Sequence, residues 1–529
     1  MERSNAHLEG RSIMGTDFLQ LDRASAPAGG LSDWLTSQLR GAIADGRMPA
    51  GTTLPASRVL ATELAVSRGV VTEAYRRLAE EGHVAGHGRA GTRVVATPAE
   101  AVRLPPGSPD GPGPTMPAAL SWPMPRGERR TPHGQLGPGV FDALRASACR
   151  VDLTPGVPDL AAFPRSAWLR AERTALSELA PASFGYGDPR GAPAFRVAVA
   201  NWLARNRGVR VAPSEVIITA GVAQALALLG RSLREAGLSE VAVEDPGSLG
   251  ARQQLQSWGL ATPPVHVDDR GLRVSELRAS AAAAVMITPA HQFPMGVVLD
   301  GARRRDLRQW AMDGGLVIED DYDAEHRYDR PPVPALRAVL PGQVCYAGSV
   351  SKLLAPALRV GWLLVPPALH EPVVAAKRDT DLGNAVLPQL ALAELMASGD
   401  LERHHRLLRK RHVRRRDAMI QAVRAYLPQA RVHGAAAGLH LTLTFTDLGG
   451  TDLGWDTDLG WDTDLGSGRS DADLAAAALE LGVKTQPLSW HRQRPGPPGL
   501  VLGYAASTPA QIDDGIAVIA KVLRPRRGR

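Results

Sequence analysis

Apolar residues recur at Leu31, Leu35, Leu39 and Ile43, which draws one stripe along a helix. Asp45-Gly46-Arg47 ends the stripe, and Pro49-Ala50-Gly51 supplies a turn. Val59, Leu60 and Leu64 predict a second, shorter helix from about Ser57 to Leu64. Ser67 follows as an N-cap. Val71, Ala74 and Leu78 then predict a third helix that runs to about Glu81, where Gly82 stops it. His83-Val84-Ala85 and Thr92-Arg93-Val94-Val95 flank a glycine-rich turn and predict a small hairpin.

Three short helices with a tight turn before the third, followed by a hairpin, are the plan of a winged helix-turn-helix, here spanning about residues 30–96. In that plan the third helix enters the major groove of DNA by its N-terminal end. That end carries Ser67, Arg68 and Thr72, and its exposed face is expected to continue to Tyr75. Arg58 starts the preceding helix, near where a phosphate backbone would pass. His87, Gly88 and Arg89 form a hairpin tip short enough to approach a minor groove.

From Thr97 to Pro138 the chain turns rich in proline and glycine, which excludes a helix or a central strand through Leu104–Pro114. Residues 97–149 are therefore expected to be a semi-stiff linker, long enough to reach a partner subunit. Beyond it, Val216-Ile217-Ile218-Thr219 reads as a buried strand that leads into a helix at Ala220-Gly221-Val222-Ala223. Backbone N–H groups at such a helix start, here Gly221, Val222 and Ala223, can hold a phosphate. Thr451-Asp452-Leu453-Gly454-Trp455-Asp456 repeats in tandem from Thr457. The repeat is too short for a solenoid and lacks the carboxylate spacing of a calcium loop. The basic run from Arg403 to Arg416 contains histidines without acidic partners, so no metal site is expected there.

The densest chemistry lies at Ser349-Val350-Ser351-Lys352-Leu353-Leu354-Ala355-Pro356-Ala357-Leu358-Arg359. A lysine among apolar groups is costly to keep charged, and a neutral amine condenses with a carbonyl to form a Schiff base. Ser349, Ser351 and Arg359 offer two hydroxyls and a guanidinium fork to a phosphate. A Schiff-base lysine beside a phosphate cup points to pyridoxal 5'-phosphate (PLP). Upstream, the strand Leu316-Val317-Ile318 ends in Glu319-Asp320-Asp321-Tyr322. Asp320 is placed to hold a proton on the cofactor's ring nitrogen, and Tyr322 to donate to its ring oxygen.

The chain has 529 residues, which suits two or three domains. Its net charge of +7 permits contact with nucleic acid. Two cysteines, Cys149 and Cys345, suggest a reducing compartment. The N-terminus has no apolar core of a signal peptide, and no run approaches the roughly twenty apolar residues of a membrane span. A cytoplasmic protein without membrane contact is expected.

Residues 150–529 resemble the fold-type I aminotransferases. The likeness runs through Tyr186-Gly187-Asp188-Pro189-Arg190-Gly191, Ile218-Thr219-Ala220-Gly221, Thr288-Pro289-Ala290-His291-Gln292-Phe293-Pro294-Met295-Gly296 and the Asp320 and Lys352 stretches. The His-Gln-Phe-Pro and Glu-Asp-Asp-Tyr-Asp forms resemble the MocR subgroup in particular, in which a GntR-type DNA-binding domain precedes an aminotransferase-like domain. Gly46–Arg58, Val66–Tyr75 and Glu80-Glu81-Gly82-His83 resemble the GntR family independently.

The resemblance implies a multidomain protein: an N-terminal winged helix-turn-helix (α+β) and a C-terminal α/β fold-type I PLP domain that also dimerises. It implies DNA contacts from Arg58, Arg68, Thr72, His87 and Gly88, and a Tyr186 that reaches the phosphate of a neighbouring subunit's cofactor. It implies a domain-swapped homodimer that binds an operator in double-stranded DNA. Its effector would be a small amine, an amino acid or PLP itself. Three departures stand out, the first being Ala290 where relatives tend to have Ser. Relatives place a stacking aromatic near Ser248, and many place a carboxylate-binding arginine near Leu500. The favoured reading is a PLP-dependent transcriptional regulator in which transaminase turnover is left open. An active aminotransferase carrying a DNA-binding domain, or a scaffold that has lost PLP, are the rivals.

Overall fold

In the computed structural model the described residues are 26, 30–44, 47–86, 91–95, 137, 139–323, 325–328, 333–445 and 470–523. His87, Gly88, most of the linker and the tandem repeat lie outside them.

The N-terminal unit follows the apolar stripes. Helices α1 (Leu31–Ala44), α2 (Ser57–Glu63) and α3 (Arg68–Glu80) precede the antiparallel pair β1 (Val84–Gly86) and β2 (Thr92–Val94). Leu35, Leu39, Ile43, Leu60, Val71, Ala74 and Leu78 close one core. The Ser67 hydroxyl accepts the Val70 N–H at 3.4 Å, so the expected cap forms. Ala65, with φ 48°, makes the tight turn between α2 and α3.

A helix interrupts the span expected to be linker. α4 (Val140–Ala146) lays Phe141 edge-on against Trp490, with ring centroids 6.0 Å apart. The large unit continues with β3 (Val151–Asp152), α5 (Arg165–Glu178), α6 (Pro193–Arg207), β4 (Ile217–Thr219), α7 (Val222–Glu235), β5 (Ala242–Asp245) and α8 (Leu249–Ser257). Then come β6 (Pro264–Asp268), β7 (Gly271–Leu272), α9 (Val274–Ala279), β8 (Ala284–Ile287), α10 (Gly301–Met312), β9 (Leu316–Asp321), β10 (Val344–Ser349) and β11 (Gly361–Leu364). The strands form one eight-stranded sheet in the order β4-β11-β10-β9-β8-β5-β6-β7. β10, β9, β8, β5 and β6 run parallel, while β11 is antiparallel to both its neighbours. Helices cover both faces, as a parallel sheet requires, and three apolar clusters lie against it.

A second lobe is built from α11 (Pro367–Asp381), α12 (Val386–Ala397), α13 (Asp400–Tyr426), β12 (Ala430–His433), β13 (His440–Phe445), α14 (Asp471–Glu480), β14 (Val483–Lys484), β15 (Gln486–Pro487), β16 (Gly499–Gly503) and α15 (Pro509–Leu523). Its antiparallel sheet runs β12-β13-β16-β15, and β14 pairs with β3. α11 and α12 return to pack on the large sheet, whereas α13, α14 and α15 close the smaller core with Leu441, Leu443, Leu500 and Leu502. Among the described residues no helix is long and apolar enough to cross a membrane.

The period of two in β9 sends its acids to different fates. Glu319 is buried and accepts the Leu336 and Arg337 N–H groups, each at 3.0 Å. Asp321 is buried against Arg207, with Nε–Oδ2 2.5 Å and Nη2–Oδ1 3.1 Å, and also accepts the Tyr346 hydroxyl. Both side chains of that pair are only 1% exposed. Removing one partner of such a pair leaves a buried, uncompensated charge. Asp321→Asn should therefore cost about 3–5 kcal/mol of stability, measured by denaturant unfolding of the full chain.

Candidate cofactor pocket and nucleic-acid face

β9 and β10 are parallel neighbours, with Ala347 opposite Asp320. This register brings the Asp320 strand end and the Lys352 turn to the same carboxyl edge of the sheet, where α/β folds place ligands. Lys352 points inward and donates from Nζ to the Gly156 carbonyl at 2.6 Å. Burial lowers its pKa, and the nearby Asp323 and Asp320 act in the opposite direction. Asp320 Oδ1 is buried without a hydrogen-bond partner. Burial and the adjacent Asp321 push the Asp320 carboxyl up to about 7. An orphaned carboxyl oxygen in the same pocket as a lysine whose pKa burial lowers fits a protonated ring nitrogen, which is the partner PLP would bring.

The phosphate side is also consistent. Gly221 stands between β4 and α7, at the cap of α7, with φ 81°. A Cβ added there would meet the Arg359 guanidinium at 3.4 Å, so the glycine leaves the cup open to that side chain. Arg359 donates to the Ala220 carbonyl at 2.5 Å. Ser349 Oγ accepts the Ser351 N–H at 3.4 Å. Gly361 permits this crowding, since its Cβ would lie 2.9 Å from the Gly221 Cα. Gly221, Val222, Ala223, Ser349, Ser351 and Arg359 thus belong to one region, beside Lys352, Asp320 and Tyr322. Tyr186 does not join them in this chain: it is 94% exposed.

Two residues that line the pocket were not among the sequence candidates. His291 Nδ1 lies 3.0 Å from the Tyr322 hydroxyl and 2.9 Å from Asp323 Oδ2, with His291 and Asp323 both buried. Burial, followed by the charge of Asp323, raises the Tyr322 pKa well above its ordinary value and keeps the phenol a donor. His291, Asp323 and His440 also present ligand atoms within 4.8 Å of one another, the spacing of a small metal site. Hydrogen bonds engage part of this set, with His440 Nε2 3.1 Å from the Pro294 carbonyl, while His291 Nε2 is buried without a partner. Behind it, Glu244 accepts the Thr288 hydroxyl at 2.7 Å, and burial raises its pKa to about 7.

Ser248 caps α8 through the Ala251 N–H, and an aromatic ring arrives there from the other lobe. His491 Nδ1 accepts the Leu249 N–H at 3.4 Å, and its ring meets Phe293 edge-on at 4.9 Å. Burial lowers the His491 pKa to about 3 and that of His440 well below its ordinary value, so both imidazoles are neutral. Among the described residues no arginine takes the place expected near Leu500. Val501 packs with Met295 and Leu488 instead.

On the N-terminal unit, Arg58, Ser67, Arg68 and Thr72 are exposed. Arg68 Nε lies 3.4 Å from Ser57 Oγ, which draws the ends of α2 and α3 together. Tyr75 is a correction. It is 9% exposed and donates its hydroxyl to the Pro55 carbonyl at 2.8 Å, so it packs the core.

The chain matches the bacterial regulatory proteins, gntR family, over residues 31–94, and the aminotransferase class I and II family over residues 151–457. It is 30% identical over 490 residues to the probable rhizopine catabolism regulatory protein MocR of Rhizobium meliloti, with 91% of each chain covered. It is 33% identical over 412 residues to the HTH-type pyridoxine biosynthesis transcriptional regulator PdxR of Corynebacterium glutamicum, covering 77% of this chain and 82% of that one. Among solved structures, it resembles the kynurenine aminotransferase of Pyrococcus horikoshii with TM-score 0.63 and 25% identity, covering 73% and 93% of the two chains. The α-aminoadipate aminotransferase LysN of Thermus thermophilus gives TM-score 0.62 and 26% identity, covering 74% and 95%.

The raised carboxyl at Asp320 predicts a pH effect. The folded, cofactor-free protein keeps a proton there that the unfolded chain releases above its ordinary value of 3.8. The support that this proton gives to folding is complete below that value and is lost as pH rises to about 7. Melting of cofactor-free protein across this window should fall less steeply with pH for Asp320→Asn than for the natural sequence.

Proposed function

Because this chain belongs to the MocR subgroup of the GntR family, and is a transcriptional regulator with an aminotransferase-like domain, we propose that it holds PLP and uses it to sense a small amine, an amino acid or PLP itself. The observation that carries this reading is the orphaned Asp320 Oδ1 in the same pocket as the inward-pointing, pKa-lowered Lys352. When bound, PLP supplies an electrophilic carbonyl that captures an amine. Lys352 provides the neutral amine that holds this carbonyl. Asp320 keeps the ring nitrogen protonated, and Tyr322 donates to the ring oxygen while His291 and Asp323 fix its direction. The Gly221-Val222-Ala223 amides, Ser349, Ser351 and Arg359 take the phosphate.

The regulator would act in the cytoplasm as a homodimer that exchanges its N-terminal units and sits on an operator in duplex DNA. Tyr186 supports the dimer: an aromatic 94% exposed on its own chain, beside Phe184 at 59%, suits a reach into a partner's pocket. Arg58, Ser67, Arg68 and Thr72 would face the DNA, joined by the tip at His87 and Gly88. For sensing to work, the effector must bind two arrangements of the protein with different affinity.

The visible spectrum of the purified protein tests the cofactor. PLP held by Lys352 should give an absorption that borohydride removes and that Lys352→Ala lacks while remaining folded. A band retained in Lys352→Ala would place the cofactor on another lysine. For DNA, Arg68→Ala should cost about 1–3 kcal/mol and relax sequence preference, because it stands at the start of the reading helix. Arg58→Ala should weaken all duplexes alike and flatten the salt dependence. Titration of both variants against specific and scrambled duplexes at several salt concentrations separates the two roles.

A further inference from the structure

The C-terminal end of α3 is pressed against the N-terminal end of α10, backbone to backbone. A Cβ added to Gly301 would lie 2.2 Å from the Ala79 carbonyl oxygen, and one added to Gly82 would lie 2.9 Å from the Gly301 oxygen. Only glycine at both places lets the two helix ends approach so closely. Arg304 and Arg308, on the same side of α10, both act electrostatically on the buried His83 that follows α3. Glu80, in the last turn of α3, lies 3.8 Å from Arg327 Nη2, and that arginine side chain is 10% exposed.

Both partners of α3 in this contact are continuations of pocket segments. Arg327 is four positions after Asp323. The His326 N–H donates to the Asp323 carbonyl at 2.9 Å, the Gly438 N–H to the His326 carbonyl at 2.7 Å, and Arg327 bridges Ala437. Gly301 ends the segment that carries His291 and Phe293. That segment is folded back on itself by the Gln292 N–H on Val297 and the Leu299 N–H on Pro289, 2.8 and 3.0 Å. Asp300 then caps α10 through the Ala302 N–H at 2.8 Å. His291, Tyr322 and Asp323 are hydrogen-bonded to one another at the pocket end of these two segments.

We infer that the junction of Ala79, Glu80 and Gly82 with Gly301, Arg304 and Arg327 is the seat through which the Lys352 pocket sets the placement of the DNA-reading helix. The inference rests on the sensing role proposed above and adds the route; in the exchanged dimer the same two surfaces would meet between protomers. A group bound between Lys352, Asp320 and Tyr322 presses on both segments at once, because the His291–Tyr322–Asp323 cluster joins them. The segments end on one turn of α3, while the opposite end of α3 carries Arg68 and Thr72. A helix of 13 residues is about 20 Å long at 1.5 Å per residue, so a small tilt at its seated end moves the reading end further.

The experiment uses the full chain, pyridoxal 5'-phosphate as the probe, and the duplex that the natural protein selects from a random pool. Two quantities are read with and without PLP: affinity for that duplex, and amide hydrogen exchange over residues 76–83. In the natural protein, PLP should change duplex affinity by roughly 5–150-fold, the usual span of coupling between sites. Gly301→Val drives a side chain into Ala79 and should bring this ratio to about one. It should also raise exchange over 76–83 to the same level with and without PLP, while the PLP absorption band persists. Arg327→Gln, a milder change, should lower the ratio in the same direction and serves if the valine variant does not fold. A natural protein whose duplex affinity ignores PLP and every amine tried overturns the sensing role itself. A natural protein that responds, alongside Gly301→Val and Arg327→Gln variants that respond equally, overturns the seat alone.

Discussion

The pocket depends on three consecutive carboxyls at the end of one strand, with Glu319 and Asp321 buried and Asp320 half-buried, its Oδ1 enclosed. Such a run is tolerated only because each side chain has a different answer to its charge. Glu319 caps a short turn with two N–H groups, and Asp321 is neutralised by Arg207 and Tyr346. Asp320 alone is left with an unpartnered oxygen. With two of the three acids settled by the protein, the remaining one is available to a ligand. Loss of the Arg207 pair would put a second unsatisfied acid beside Asp320 and change what the pocket prefers to hold.

Much of this was legible in the sequence because the chemistry is concentrated in short stretches. Lys352 and Arg359 share one turn, Asp320 and Tyr322 another, and the parallel register of β9 and β10 merely brings two readable pieces together. His291 and Asp323 were harder to find, since neither means much alone and they meet only when β8 and β9 pair. Tyr75 lies on the buried face of α3, not on the exposed face that continues from Arg68 and Thr72. Its spacing from Val71 and Leu78 places it on the buried stripe, and its hydroxyl finds a carbonyl inside. α4 was hidden by the proline-rich run ahead of it, although Val140, Phe141 and Leu144 already form a short apolar stripe. The ring that His491 brings to Ser248 comes from a part of the chain more than two hundred residues away, which no local pattern announces.

The two lobes are joined at that same place. The Gly247 N–H donates to the His491 carbonyl at 2.8 Å, and the Leu249 N–H to its ring nitrogen. Asp245 accepts the Gln493 N–H at 2.8 Å from the next residues of the same segment. The large sheet and the small lobe therefore share a wall beside Phe293. Ser248 caps α8 at this seam, and the His491 ring packs beside it across the lobe boundary.

The buried imidazoles and carboxyls reverse their customary parts. His83 and His491 are held near 3 and His440 well below its ordinary value, whereas Asp320 and Glu244 are lifted to about 7. In most proteins mild acidification acts by charging histidines. Here it discharges carboxyls while those imidazoles stay silent. A modest fall in pH would thus take negative charge from Asp320 and Glu244 while His440 and His491 add no positive charge. The hold of the pocket on a cationic guest would then slacken, while the hydrogen bonds that shape its wall remain as they were.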